Sequence, residues 1–343
     1  MKTLRMNLGE RSYDITVGQD LLGKAHDYFD LDRKVLILTD SGVPKEYAET
    51  LLSQCKCGII HTVPHGEASK SMEMLTAVLQ QMMKFDMTRG DALISVGGGV
   101  VGDLGGFAAA CYMRGIDFYQ VPTTLLAQVD SSIGGKCAVN LGGTKNIVGA
   151  FYQPKGVLID TKTLSSLPKR LLSAGLAEAV KMSLTSDREL FTIFETEELT
   201  ESVTEKIILR SLMIKKSVVE EDEKESGLRK ILNFGHTLGH AIEAQTEMKD
   251  VYHGECVAIG MLPMCSEEVR CRLLTVMEKL GLPSNIEYDL EKALAFVVHD
   301  KKCHGGFVDV VMVEEIGSFV IQKMTVEDFG TMVKEVKERM GCR

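Results

Sequence analysis

Between residues 35 and 159 the chain carries five short runs rich in Val, Ile and Leu, at 35–39, 58–63, 92–96, 118–121 and 157–159. Patterned helical segments such as 71–85 lie between them, and most of the runs end in Gly, Thr, Asp or Pro. A strand with one solvated face alternates polar and apolar residues, whereas a continuous apolar run is buried on both faces. Repeated with helices in between, it specifies a parallel sheet covered on each side. Ahead of it, residues 1–17 read as two short strands turning near Gly9 and Glu10. Beyond Asp160 helical spacing dominates, over 168–184, 189–194, 203–219, 228–244, 253–271 and 273–280. The expectation is an α/β domain over 1–160 and a mainly helical domain over 161–343. Near the end, 307–313 and 318–322 flank 314–317 as a hairpin, before a helix opened by Thr325 with Asp328 in the capping-box position.

A length of 343 residues, 45% hydrophobic and 25% charged, fits two globular domains and excludes a disordered chain. The net charge of -9 lacks the basic excess of a protein that neutralises nucleic-acid phosphates, so no nucleic-acid partner is expected. Nine cysteines without a CxxC pair suggest neither a disulfide framework nor a thiolate zinc site. The first 18 residues hold no apolar signal-peptide core, and charges break every candidate membrane span. A cytoplasmic protein with no membrane partner is expected.

The run 92–107, ALISVGGGVVGDLGGF, is a buried strand, three glycines and a helix beginning near Val100. Glycines there let the backbone approach a bound group, and a helix N-terminus offers N–H donors to a pyrophosphate. The same spacing also serves a plain tight turn, and it is not the GxGxxG fingerprint. Asp40 after one strand and Thr123 and Thr124 after another add polar groups at strand ends, where ligands of open parallel sheets bind. Further on, Arg229, Asn233, His236 and His240 are spaced by four, three and four, as along one helical face. His253 opens the next apolar helix, and an earlier one carries Glu178 in an apolar setting. Two imidazoles and a carboxylate can hold a catalytic zinc, although each alone also fits a capped or hydrogen-bonded structural residue. Lys136, Asn140, Lys145 and Asn146 fall in a glycine-rich connection suited to a phosphorylated substrate, and Arg114, Lys181, Lys215, Arg229, Lys301 and Lys302 are further cations.

These segments carry a resemblance. The motifs GEASKS, GGGVVGDLGGFAAACYMRG, VPTTLLAQVDSSIGGKCAVN, GTKN, GLAEAVK, EEDEKESGLRKILNFGHTLGHAIE and HGECVAIGM are similar, nearly end to end, to those of the 3-dehydroquinate synthases, the sugar phosphate cyclases that make the first carbocycle of the shikimate pathway. The resemblance implies a Rossmann-like N-terminal domain binding NAD and a helical C-terminal domain carrying one divalent metal, zinc or cobalt, with the site in the cleft between them. It implies Glu178, His236 and His253 as metal ligands. It assigns Asp40, Glu67, Lys70, Gly98, Gly99, Val100, Asp103, Thr123, Thr124 and Lys145 to NAD, with Lys136 close by. Asp130, Lys136, Asn146, Lys181, Lys215, Arg229, Asn233 and His240 fall to substrate and chemistry. Arg114 would come from the partner across a homodimer interface, and Lys301 or Lys302 would reach the substrate phosphate. Cys137 and Cys256 depart from the small residues expected at their positions.

The implied reaction converts 3-deoxy-D-arabino-heptulosonate 7-phosphate to 3-dehydroquinate and phosphate by transient oxidation, elimination, re-reduction and aldol closure. A metal-dependent NAD polyol dehydrogenase shares the glycine turn and helical metal domain but would release NADH. Another sugar phosphate cyclase would differ only in its substrate-facing side chains. A non-catalytic descendant would be expected to lack a ligand or lysine, and none is missing.

Overall fold

The computed structural model describes residues 1–245, 251–299, 303–304 and 306–341. The chain divides into two compact units, Met1–Pro168 with Lys215–Glu220, and Lys169–Ile214 with Glu221–Arg343.

The first unit contains β1 (Lys2–Met6), β2 (Tyr13–Gly18), β3 (Lys34–Asp40), α1 (Lys45–Leu52), β4 (Cys57–Val63), α2 (Met72–Lys84), β5 (Ala92–Gly97), α3 (Gly99–Cys111), β6 (Asp117–Pro122), β7 (Lys136–Leu141), β8 (Thr144–Phe151) and β9 (Gly156–Asp160). Seven strands form one sheet in the order β1-β2-β9-β6-β5-β3-β4. Only the β1–β2 pair is antiparallel. The continuous apolar runs have the expected cause: Leu36 and Leu38 of β3 enter one core with Leu93, Leu104 and Phe118, while Val35 and Ile37 enter another with Ile94, Val121 and Leu158. Burying each such side chain stabilises the fold by about 1.5–3 kcal/mol. α3 lies close to the sheet because its glycines face packed atoms. A Cβ on Gly105 would strike Ser95 Oγ, and one on Gly106 would strike Cys137 Sγ.

β7 and β8 form a separate antiparallel hairpin where the sequence suggested a glycine-rich connection. Its turn uses Gly142 and Gly143 at φ +59° and +79°, the double left-handed geometry that tight hairpins favour.

The second unit holds α4 (Lys169–Ser186), α5 (Arg188–Thr196), most of α6 (Glu201–Glu221), α7 (His236–Gln245), α8 (His253–Met261), α9 (Glu267–Leu280), α10 (Leu290–His299) and α11 (Val326–Gly341). A three-stranded antiparallel sheet joins β10 (Cys303–His304), β11 (Phe307–Met312) and β12 (Val320–Thr325). Thr325 caps α11, accepting from Asp328 N at 3.0 Å. Two expected helices are interrupted. Residues 228–244 do not form one helix: Leu228–Asn233 is a 3-10 segment, Phe234 is extended at ψ 128°, and Gly235 is left-handed at φ +75°. Arg229 and Asn233 therefore do not continue the face that His236 and His240 share on α7. Residues 253–271 likewise divide at Leu262–Met264, a 3-10 turn containing Pro263. No helix of the described residues is long and apolar enough to cross a membrane.

Candidate active site

In the first unit the parallel register sets the carboxyl ends of β3, β5 and β6 side by side, with Thr39 opposite Val96 and Gly97 opposite Pro122. Asp40, Gly98, Gly99, Val100, Thr123 and Thr124 thus share one edge, and Thr123 N donates to Gly97 O at 2.9 Å. No side chain caps α3. A Cβ on Gly98 would come within 3.1 Å of Thr124, and one on Gly99 within 3.2 Å of Ser131. Glycine leaves the first N–H groups of α3 open to an anionic ligand. Asp40 is buried, accepts from Gly42 N at 2.7 Å and meets His65 Nδ1 at 3.2 Å.

Beside this edge, buried Lys70 forms an ion pair with Asp103 of α3. Burial pulls the Lys70 ammonium down, but Asp103 and Glu67 outweigh it and hold it above its ordinary value. Burial keeps the Asp103 carboxyl above its own ordinary value despite Lys70. Lys215, on the part of α6 that belongs to this unit, donates to Asp130 O at 2.8 Å and pairs with its carboxylate at 2.5 Å. Asp130 lies in a π-helical turn, Ala127–Ser131. Lys136 and Lys145 stand on the hairpin strands, with Asn146 exposed at φ +53°. Exposed Arg114 follows Met113 in a turn where both are left-handed, at φ +67° and +52°.

The second unit gathers a compact polar cluster. Glu178 and Lys181 sit one turn apart on α4, each 1% exposed, and form an ion pair. The Nε2 atoms of His236 on α7 and His253 on α8 stand 3.6 and 3.4 Å from Glu178 Oε1. One ring nitrogen from each of His236, His240 and His253 lies within 4.8 Å of the others. Glycines bring the backbones this close: a Cβ on Gly254 would fall on Ala174 O of α4, one on Gly260 on Gly235 O, and one on Gly239 within 3.0 Å of Cys256 O.

The outer nitrogens orient these rings. His236 Nδ1 meets Phe234 O at 3.0 Å, and His253 Nδ1 meets Glu243 Oε2 at 3.0 Å. Each contact fixes an Nδ1–H and turns Nε2 inward. Burial raises the Glu178 carboxyl, but Lys181 and His253 outweigh it and bring it down to about 2. Burial lowers the His253 imidazole, but Glu178 and Glu243 outweigh it and raise it to about 10. Glu178 is buried, and Lys181, His236 and His253 face its carboxylate. A carboxylate with two or three inward imidazole nitrogens is the donor set that zinc or cobalt takes, so the residues fit a divalent metal.

Around this cluster, Arg229 is 1% exposed and donates to Glu223 O, while Asn233 donates to Glu225 at 2.7 Å. Asp222 organises the loop before them, accepting from Ser226 N, Ser226 Oγ, Gly227 N and Arg229 N at 2.7–3.0 Å. Lys301 and Lys302 lie outside the described residues. Asp222 and Glu243 carried no role in the sequence reading. A carboxylate one turn beyond His240 was the available signal for Glu243.

Two family models tile most of the chain: 3-dehydroquinate synthase N-terminal over residues 60–174 and 3-dehydroquinate synthase C-terminal over 175–303. The 3-dehydroquinate synthase of Dictyoglomus thermophilum is 42% identical, covering 99% of each chain. That of Clostridium acetobutylicum is 41% identical over 94% of this chain and 97% of its own. Among solved structures, a 2-deoxy-scyllo-inosose synthase complexed with carbaglucose-6-phosphate, NAD+ and Co2+ matches at TM-score 0.87 and 27% identity, over 97% of this chain and 100% of that one. The 2-epi-5-epi-valiolone synthase of Streptomyces hygroscopicus, with NAD+ and Zn2+ bound, also matches at 0.87 and 27%, over 97% of this chain and 99% of that one. A probable glycerol dehydrogenase from Sinorhizobium meliloti, at 16% identity and TM-score 0.63 over 94% of this chain and 95% of that one, shares the fold alone. With relatives this similar over almost the whole length, and both family models in their proper order, the chain belongs to the 3-dehydroquinate synthase family.

Proposed function

We propose that this chain converts 3-deoxy-D-arabino-heptulosonate 7-phosphate to 3-dehydroquinate and phosphate, with NAD reduced and reoxidised within each turnover. The observation that carries the reading is the buried Glu178 faced by His236 and His253, with a ring nitrogen of His240 within 4.8 Å of theirs, in a chain that also presents an uncapped glycine turn at the carboxyl edge of a parallel sheet. The difficulty of the reaction is an inert alcohol at carbon 4 next to an unactivated C–H at carbon 5. A divalent metal, zinc or cobalt, held by Glu178, His236 and His253 supplies Lewis-acid stabilisation of alkoxide character, and NAD supplies a reversible hydride acceptor.

The protein's own groups do the rest. Asp40, Glu67, Thr123, Thr124, Lys145 and the N-terminus of α3 hold the nucleotide, with Lys70 and Asp103 fixing the loop beside it. Lys181, Lys215, Arg229 and Asn146 bind and neutralise the substrate's anionic groups, with Lys301 or Lys302 at the phosphate. Asn233, His240, Lys136 and Asp130 orient the intermediates, and holding the opened chain in a folded conformation suffices for aldol closure. α4 carries both a metal ligand and a substrate cation, so one rigid helix sets their separation. A homodimer in which Arg114 of one protomer completes its partner's site is part of this reading. Exposed Met113, Leu141, Ile147 and Phe151 support it as apolar surface near that arginine and on the hairpin. A reducing cytoplasm suits a chain whose nine cysteines include no CxxC pair.

The test is incubation with the heptulosonate phosphate, substoichiometric NAD+ and zinc. Equal amounts of dehydroquinate and phosphate without net NADH support the reading. Stoichiometric NADH from a simple polyol, with no carbocycle formed, would place the chain among the dehydrogenases instead.

A further inference from the structure

Asn140 sits in β7 at an irregularity in the hairpin register, between the Val139–Val148 and Leu141–Thr144 pairs. A bulge of this kind re-aims a side chain. Its Nδ2 donates to Glu67 Oε1 at 2.9 Å, and its Oδ1 accepts from Asn146 N at 2.9 Å. A carboxylate can only accept and a backbone N–H can only donate, so the two partners fix the amide orientation. Its own N donates to Lys70 O at 2.8 Å, tying the strand to the loop that carries Glu67. At the other end, Asn146 adopts φ +53°, a left-handed conformation that asparagine takes more readily than other non-glycine residues, and the bond from its N to the Asn140 amide helps hold it there.

We propose that Asn140 is a positioning residue that couples nucleotide binding at Glu67 to substrate binding at Asn146. The inference rests on the functional reading above, which places those two residues on the two ligands. A nucleotide that orders Glu67 holds the Asn140 amide in its single permitted orientation, and that orientation holds the Asn146 backbone ready. By linkage the substrate tightens the nucleotide by the same factor.

The coupling is measured on full-length, metal-loaded enzyme by NADH fluorescence titration, with and without saturating heptulosonate phosphate. NADH cannot accept a hydride, so the ternary complex does not turn over. In the wild type the substrate is expected to tighten NADH by at least about fivefold. Asn140→Ala removes both bonds and brings the ratio close to one. Asn140→Asp has the same shape and still accepts from Asn146, but repels Glu67, so it too loses the coupling. It reports even where the alanine variant fails to fold. Adding Glu67→Gln to Asn140→Asp restores a donor to that pair and recovers the ratio, which a purely structural role would not do. A wild-type ratio of one, or an Asn140→Asp ratio equal to the wild type's, overturns the proposal. A wild-type protein that binds no NADH overturns the functional reading and this inference with it.

Discussion

Replacing Gly260 by alanine tests whether the backbone approach of α7 and α8 holds the histidine cluster together. The new Cβ would fall on Gly235 O, 2.8 Å from Gly239 N and 3.0 Å from Gly235 C. Ordinary carbon contacts lie near 3.5–4 Å and Gly235 O would be only 2.0 Å away, so α8 must withdraw by about 1.5–2 Å. The obstructing atoms are main chain, and no rotamer change can relieve them. Overpacking of this kind costs about 3 kcal/mol, the upper end of the usual range. For a unit of this size that lowers Tm by about 6–12 °C. Metal sites tolerate only about 0.2 Å in ligand distances, so a shift of α8 relative to α7 also weakens zinc. The assay is calorimetry of the chelated and zinc-loaded protein, with Gly23→Ala as control, because no atom lies within 4 Å of a Cβ there. The reasoning is refuted if Gly260→Ala melts within about 1 °C of the control and retains zinc equally well.

Glu178→Gln leaves buried Lys181 without its carboxylate and should destabilise the chelated protein by about 3 kcal/mol in urea titration. Glu243→Gln removes the charge behind His253, and chelator competition should show zinc held about 10–100-fold more weakly. Lys136→Ala should cut turnover more than it lowers NAD affinity; lost nucleotide binding with normal single-turnover chemistry would show that the lysine serves the cofactor instead. Burial raises the Asp222 carboxyl, but hydrogen bonds from Arg229, Ser226 and Gly227 hold it well below the ordinary carboxylate value. Its contribution to stability is therefore complete above the unfolded pKa of about 4 and is lost as pH falls toward the lower folded value. Asp222→Asn should flatten the stability profile in that acid range, and an unchanged slope would rule out this role.

The sheet was legible because burial on both faces leaves its mark in uninterrupted runs: β3, β5 and β6 match the expected segments within a residue or two at each end. The hairpin of β7 and β8 was not, since KCAVNLGGTKNIVGAF is a mixed polar and glycine-rich stretch and its strands lie outside the main sheet. The four-three-four spacing of Arg229, Asn233, His236 and His240 suggested one helix because periodicity says nothing about a single left-handed residue. Gly235 breaks the path at φ +75°, and its close packing against α8 leaves no room for a Cβ. The glycine turn and the cluster of Glu178, His236 and His253 were readable as residue types, and the resemblance supplied the roles assigned to them. Glu243 was hidden for a different reason: its role depends on the chain returning after ten residues to place His253 against it.

Where helices meet through interlocking side chains, substitutions on one can be absorbed by rotamers on the other. The contact of α7 with α8 offers little such slack where Gly239 and Gly260 face bare peptide across it. At those two positions the spacing is set by main chain on both sides. An engineer could exchange His240 to redirect the chemistry of the centre and still keep His236 and His253 facing Glu178, provided Gly239 and Gly260 between α7 and α8, and Gly254 against α4, are left alone.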